Sequence, residues 1–185
     1  MLGTIGMLVV GLVIVVVVIV VVVFGIAFFI GMRSKTPLVL NAVRRFNRAF
    51  MNPHQLKTAG TPGAYASVIR HVGRKSGRSY ATPMVAYPTD SGFVISLPYG
   101  SDTDWLKNVL ASGSATIVNE GETWLVDRPE LVPVAEAAPY LPTKEQRNLR
   151  RFAVDRCLRV RRLGTEERSS RAEQGTRSGE VVIPA

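Results

Sequence analysis

The sequence predicts a mainly β domain with helices, a small and partly closed antiparallel barrel, behind one N-terminal transmembrane helix. Three observations predict it. No Asp, Glu, Lys or Arg precedes Arg33. Beyond that point, short runs rich in Val, Ile, Thr and Tyr alternate with Gly- and Pro-containing turns, as antiparallel strands do. No strand–helix–strand alternation opens on a G-x-G-x-x-G turn, which sets a doubly wound sheet aside. The expected organisation is an anchor over 1–32, the barrel domain over 33–163 and a disordered polar tail over 164–185.

The anchor follows from composition. From Ile5 to Ile30 about 26 residues carry no charge and no strongly polar group, where roughly 20 suffice to span a bilayer as a helix. Valine dominates the run, at little cost in lipid because the helical backbone bonds to itself. A cleaved signal fits less well. No Lys or Arg precedes the run, it exceeds the roughly 7–15 residues of a signal core, and no A-x-A-like site follows. Arg33, Lys35, Arg44, Arg45 and Arg48 follow closely, so the positive-inside rule places the rest in the cytoplasm, as in a single-pass protein of the cell membrane. Cys157 is the only cysteine and makes no intrachain disulfide, in keeping with a reducing compartment. A net charge of +9 calls for an anionic partner. For a tethered domain that partner is the membrane surface, met by the helix and the basic residues, and not nucleic acid.

The elements follow in order. Residues 37–51 read as a helix, with Thr36 as cap and Pro37 as first helical residue. Its apolar residues Val39, Leu40, Val43, Phe46 and Phe50 suit either the domain core or a membrane surface. Residues 54–65 form a loop. Strands are expected over 65–72, 79–88 and 92–100. A short helix over 102–113 starts at Asp102 or Thr103 and stops at Gly113. Two further strands over 114–132 hinge on Glu120 and Gly121, and a strongly basic helix is expected over 143–163. The arginines of 147–162 form its solvated or lipid-facing side, with Cys157 buried and inert.

Catalytic equipment is sparse. Two histidines, His54 and His71, and one cysteine make no zinc spacing. The sequence holds no G-x-S-x-G, Walker A or H-E-x-x-H motif. An enzyme built on this chain would lean on a bound cofactor. The stretch H-V-G-R-K-S-G-R, 71–78, is the exception to this blandness. Gly73 and Gly77 allow positive φ, so that backbone N–H groups can converge on an anion. Arg74 and Lys75 add charge, Ser76 a hydroxyl, and Arg70 and Arg78 a second layer; a merely solvated hairpin turn is the ordinary alternative. His71 reads as a polar residue flanking that turn. Trp105 reads at least as well as core, and Trp124 as core or as an interfacial aromatic.

Three motifs in order, Gly73-Arg74-Lys75-Ser76-Gly77, Thr82-Pro83-Met84, and Tyr99-Gly100 followed by Trp105 and Asn108, resemble the deazaflavin-dependent nitroreductase family. These are split β-barrel oxidoreductases of the FMN/F420-binding type that use the reduced deazaflavin coenzyme F420. The resemblance covers about residues 37–163. It implies a site in which Arg74, Lys75, Ser76 and Gly77 hold the phosphate and oligoglutamate tail of the coenzyme. Thr82, Pro83 and Met84 line the deazaflavin ring, and Tyr99, Gly100, Ser101, Asp102, Trp105 and Asn108 close over cofactor and phosphate. F420 is the implied cofactor, with FMN as the alternative, no metal, and Tyr99 as the candidate proton donor.

Two departures shape the expected substrate. Several nitroreductases of the family place a serine–lysine pair where Pro98-Tyr99 stands here, and this chain offers Tyr140 where theirs contact substrate through tyrosines. A membrane-tethered member suits a lipophilic acceptor, such as a quinone, an unsaturated lipid or a nitro compound. The alternative is a non-catalytic module that binds an anion, cofactor or lipid at the membrane surface.

Overall fold

The computed structural model describes residues 2–163, and the polar tail expected over 164–185 lies outside them. Two compact units divide the chain, Met1–Val43 and Arg44–Ala185. The first is built on α1 (Leu2–Arg33). Its stretch Val9–Arg33, 25 residues, is long and apolar enough to cross a membrane. The helix stops where Lys35 adopts a φ of 55°. There Thr36 N–H donates to the Gly31 carbonyl at 2.9 Å and Lys35 N–H to that of Met32 at 3.4 Å, the paired bonds that satisfy the last carbonyls of a helix. Helix α2 (Pro37–Phe46) then starts on Pro37 as expected, with the Thr36 carbonyl accepting from Leu40 N–H.

The second unit opens where α2 gives way to a π-helical turn, Asn47–Met51, and to the short α3 (Asn52–Gln55). Seven strands follow: β1 (Ser67–Val72), β2 (Ser79–Met84), β3 (Ala86–Pro88), β4 (Gly92–Ser96), β5 (Ser114–Asn119), β6 (Glu122–Pro133) and β7 (Arg156–Arg162). Its described residues also form α4 (Asp104–Ser112), α5 (Val134–Ala137), a 3-10 turn Ala138–Tyr140 and α6 (Thr143–Arg151). The sheet is antiparallel throughout, in the order β2-β1-β5-β6-β7-β4-β3. Its two edge strands, β2 and β3, are separated in the chain by Val85 alone. One residue can join opposite edges only if the sheet curls back on itself, so the topology dictates a half-barrel. The single strand expected over 79–88 is thus two strands, one at each edge.

Period-two alternation sorts the side chains to the two faces. Phe93 and Ile95 of β4 and Leu158 and Val160 of β7 enter the main core with Ile69, Leu106, Val109 and Ile117. Val94 and Cys157, one residue out of phase, enter a second cluster with Val132, Ala137, Leu141 and Leu149. Each large apolar side chain so buried contributes about 1.5–3 kcal/mol. Burial, and then Glu145, pushes the Cys157 thiol up to about 11, which makes it inert as expected. Trp124 packs against the main core, with the Arg162 guanidinium 4.9 Å from its ring centre. Long β6 pairs with β5 over Glu122–Asp127 and with β7 over Val126–Pro133, the β7 ladder carrying a register shift between Asp127 and Glu130. Arg128, at φ 48°, marks that bulge.

The basic helix expected over 143–163 is overturned in its second half. Helix α6 ends at Arg151, Ala153 takes a φ of 49°, and the chain enters β7 at the centre of the fold. Leu158, Arg159, Val160 and Arg161 alternate apolar and charged, which is strand periodicity. Arg159 pairs with Glu130 at 2.7 Å and Arg161 with Asp127 at 3.0 Å, so these arginines are not a lipid-facing helix side. The strand expected over 92–100 stops at Ser96, and a turn closed by Gly100 N–H on the Leu97 carbonyl follows it.

Candidate functional site

The site is assembled where the basic turn, β2 and the start of α4 meet. The turn is closed by Gly73 N–H on the Arg78 carbonyl and Gly77 N–H on the Gly73 carbonyl, both at 2.8 Å. Gly77 holds φ 64° and uses its freedom as expected. Gly73 is not in the left-handed region. Glycine suits it because a Cβ there would lie 2.5 Å from Ser76 Oγ and 2.7 Å from the Tyr80 ring. Ser76 Oγ shares a hydrogen bond with Tyr80 Oη at 3.2 Å. Lys75 and Arg78 are exposed.

Arg74 reaches across to α4. Its backbone N–H and its Nη1 both donate to Asn108 Oδ1, at 3.2 and 2.8 Å, and its Nη2 pairs with Asp104 Oδ1 at 3.2 Å. Asn108, 6 % exposed, thereby has its carbonyl oxygen committed, and its Nδ2 faces His71 Nδ1 at 3.2 Å. An amide nitrogen can only donate, so His71 Nδ1 accepts and the ring hydrogen sits on Nε2. That hydrogen is donated to Thr82 Oγ1 at 3.2 Å, which leaves the threonine hydroxyl hydrogen to donate elsewhere. His71 is 3 % exposed and stacks on the Tyr80 ring at 5.9 Å. Desolvation lowers its pKa from 6.5 to about 4, so the neutral ring is the form that fits. His71 is therefore a buried connector and not a residue flanking the turn. The signal that could have found it is its parity with Ile69 on the buried face of β1, which a polar residue occupies only with partners.

The loop before α4 carries the remaining candidates. Gly100 holds φ 75° and Tyr99 is half-buried. The Tyr99 carbonyl accepts from Arg44 Nη2 at 2.7 Å. Ser101 and Asp102 are exposed. Asp102 pairs with Lys107 and with Arg44, and its carboxyl is held below the usual range chiefly by Lys107. Asp104, bonded by Arg74 and Arg48, is held low as well. Thr103 is the backbone cap of α4, yet its hydroxyl makes no capping bond. That Oγ1 is buried with no hydrogen-bond partner. Gly113, at φ 70°, closes the helix as expected. Pro83 is buried, Thr82 and Met84 are half-buried, and Met84 and Trp105 pack against the main core. Burial, followed by Glu145, raises the phenol pKa of half-buried Tyr87. Among the described residues no group of His, Cys, Asp and Glu could hold a metal ion.

Fold and site together define an antiparallel half-barrel whose basic turn is bonded to a helix start. No family model matches the chain, and no curated protein matches it. Solved structures are similar to it. One described as an F420 reductase is 13% identical, covering 58% of this chain and 92% of its own, with a TM-score of 0.38. Another, described as an F420-H2 dependent reductase (FDR-A), is 16% identical over 65% of this chain and 90% of its own, with a TM-score of 0.30. At such identities the likeness carries no residue role across.

Proposed function

We propose that this chain is a membrane-anchored oxidoreductase that uses reduced F420 and passes a hydride to a lipophilic acceptor, a quinone, unsaturated lipid or nitro compound. One observation carries the reading. The three motifs that resemble the deazaflavin-dependent nitroreductases are joined through buried and half-buried polar contacts, Arg74 to Asn108 to His71 to Thr82. Isolated sequence coincidences would have no reason to share a network.

The donor set fits an anionic cofactor. Lys75 and Arg78 stand exposed on the turn, and the buried Thr103 hydroxyl at the start of α4 lacks a partner. Lys75, Ser76 and Gly77 would hold the phosphate and carboxylate tail. Arg74, engaged with Asp104 and Asn108, would fix the turn against α4. Thr82, Pro83 and Met84 would border the ring, with Thr82 Oγ1 oriented as a donor by His71. When bound, the reduced deazaflavin supplies the hydride. Tyr99, in the loop that would close the site, is the candidate to deliver a proton.

The test is a fluorescence titration of the full chain in detergent with F420, repeated with Lys75→Ala/Arg78→Ala and with FMN in place of F420. Saturable binding weakened roughly tenfold by the double change supports the reading. Absence of binding in a folded sample overturns it. The second reading, a non-catalytic module, is favoured by the neutral, fully engaged His71 and the lack of paired carboxylates among the site residues. It would show binding without oxidation of the reduced coenzyme by any acceptor.

A further inference from the structure

Between α2 and α3 the chain turns a strongly two-sided segment to solvent. Arg44 donates to the Tyr99 carbonyl and Arg48 to Asp104 Oδ2 at 3.1 Å, so one side is tied to the loop and helix start of the candidate site. The other side carries Phe46, Phe50 and Met51, which are 54%, 67% and 40% exposed. The Phe46 and Phe50 rings lie 5.4 Å apart. The π-helical winding over Asn47–Met51 brings residues four and five apart to the same side, which adds Met51 to the pair. Ala42, Ala49 and Arg45 are exposed with them. Clustered large apolar side chains on a water-facing helix mark a surface with an occupant.

We propose that residues 45–51 form an interfacial wedge that lies on an anionic bilayer surface, with Phe46, Phe50 and Met51 entering the headgroup–acyl boundary and Arg45 meeting lipid phosphate. The bilayer is favoured over a second copy of the chain on two grounds. The segment follows Arg33, the end of the helix long enough to cross a membrane, after only the 11 residues 34–44, so it is tethered near such a surface. The chain carries a net charge of +9, which attracts an anionic leaflet and repels another copy. The nearby acids, Asp102 and Asp104, are engaged by Arg44, Lys107, Arg48 and Arg74, and so offer a second copy little to pair with. The inference rests on the anchored reading above. It deepens that reading, because Arg44 and Arg48 would hold the site loop against the lipid boundary, where a lipophilic acceptor resides.

The experiment uses the full chain reconstituted in vesicles of phosphatidylcholine and phosphatidylglycerol at about three to one. A bimane label is placed at Phe46→Cys, Phe50→Cys or, as a water-exposed control, Asp90→Cys. Cys157 is buried and does not compete. Quenching by doxyl-labelled lipid should be at least about twofold stronger at positions 46 and 50 than at 90, and should fall with Arg45→Glu or in phosphatidylcholine alone. Equal lipid quenching at all three positions, with iodide quenching undiminished, overturns the wedge. So does protection at 46 and 50 that persists in detergent and rises with protein concentration, which would assign the surface to a second copy. An alkaline wash separates the two failures. A retained chain with water-exposed labels loses the wedge alone, whereas a chain stripped from the vesicles loses the anchor and the wedge together.

Discussion

His71 is held neutral by its surroundings, and that has a measurable consequence. The unfolded chain takes up a proton near pH 6.5, whereas the folded imidazole resists it until about 4. Stability is therefore complete above about pH 6.5 and falls by about 1.4 kcal/mol per unit as the pH drops toward 4. The depressed carboxyls of Asp102 and Asp104 act in a separate window, below the ordinary carboxylate range. Urea midpoints of the full chain in detergent, read from Trp105 and Trp124 fluorescence, should decline over that upper window and decline less in His71→Gln. An unchanged slope in the variant would sink the assignment. Thr103 permits a second residue-scale prediction. Its hydroxyl is buried and unpartnered, so Thr103→Val should leave stability unchanged or raise it by up to about 1 kcal/mol. The same change should weaken F420 binding if that hydroxyl faces the anion.

At the scale of elements, the pairing of β4 with β7 decides whether the half-barrel closes. A side chain at Gly92 would collide with the Val160 carbonyl on the neighbouring strand. Backbone cannot yield there as a rotamer would, so Gly92→Ala should cost on the order of 3 kcal/mol, measured as the shift in urea midpoint. Arg161 on β7 makes two bonds of 3.0 Å to the buried Asp127 on β6. Arg161→Met removes both bonds to that carboxylate, with an expected loss of about 2–3 kcal/mol, and Asp127→Asn in the same chain should recover part of it. These costs belong to β7 as a strand. Were 156–162 a solvated helix, neither substitution would be felt.

For the whole molecule, the asymmetry of charge about the apolar helix sets the orientation to expect. No Lys or Arg lies before the run and several follow it, so the half-barrel should face the cytoplasm. A Ser101→Cys reporter, on an exposed loop, should react with a membrane-impermeant maleimide only after the cells are permeabilised. Labelling of intact cells would place the domain on the other side. The positions of β1, β5 and β6, the start and stop of α4 and the inert Cys157 were legible in the residues, since each follows from local spacing or burial preference. The site was legible only as three separate motifs. What joins them, His71, reads as an ordinary polar residue until Asn108, 37 positions away, is packed against it.

The residues by themselves determined an apolar helix able to span a bilayer, a β-rich domain behind it, and a basic turn bounded by glycines. Such properties depend on composition and on neighbours within one helical turn or one strand. Tertiary structure alone decided that 156–162 is a central strand, that 79–88 divides between opposite edges of the sheet, and that Arg74 is directed to Asp104 and Asn108. Strand pairing and the exclusion of water are set by residues far apart in the chain. An arginine-rich segment resembles a solvated helix until distant partners satisfy its backbone and neutralise its charges.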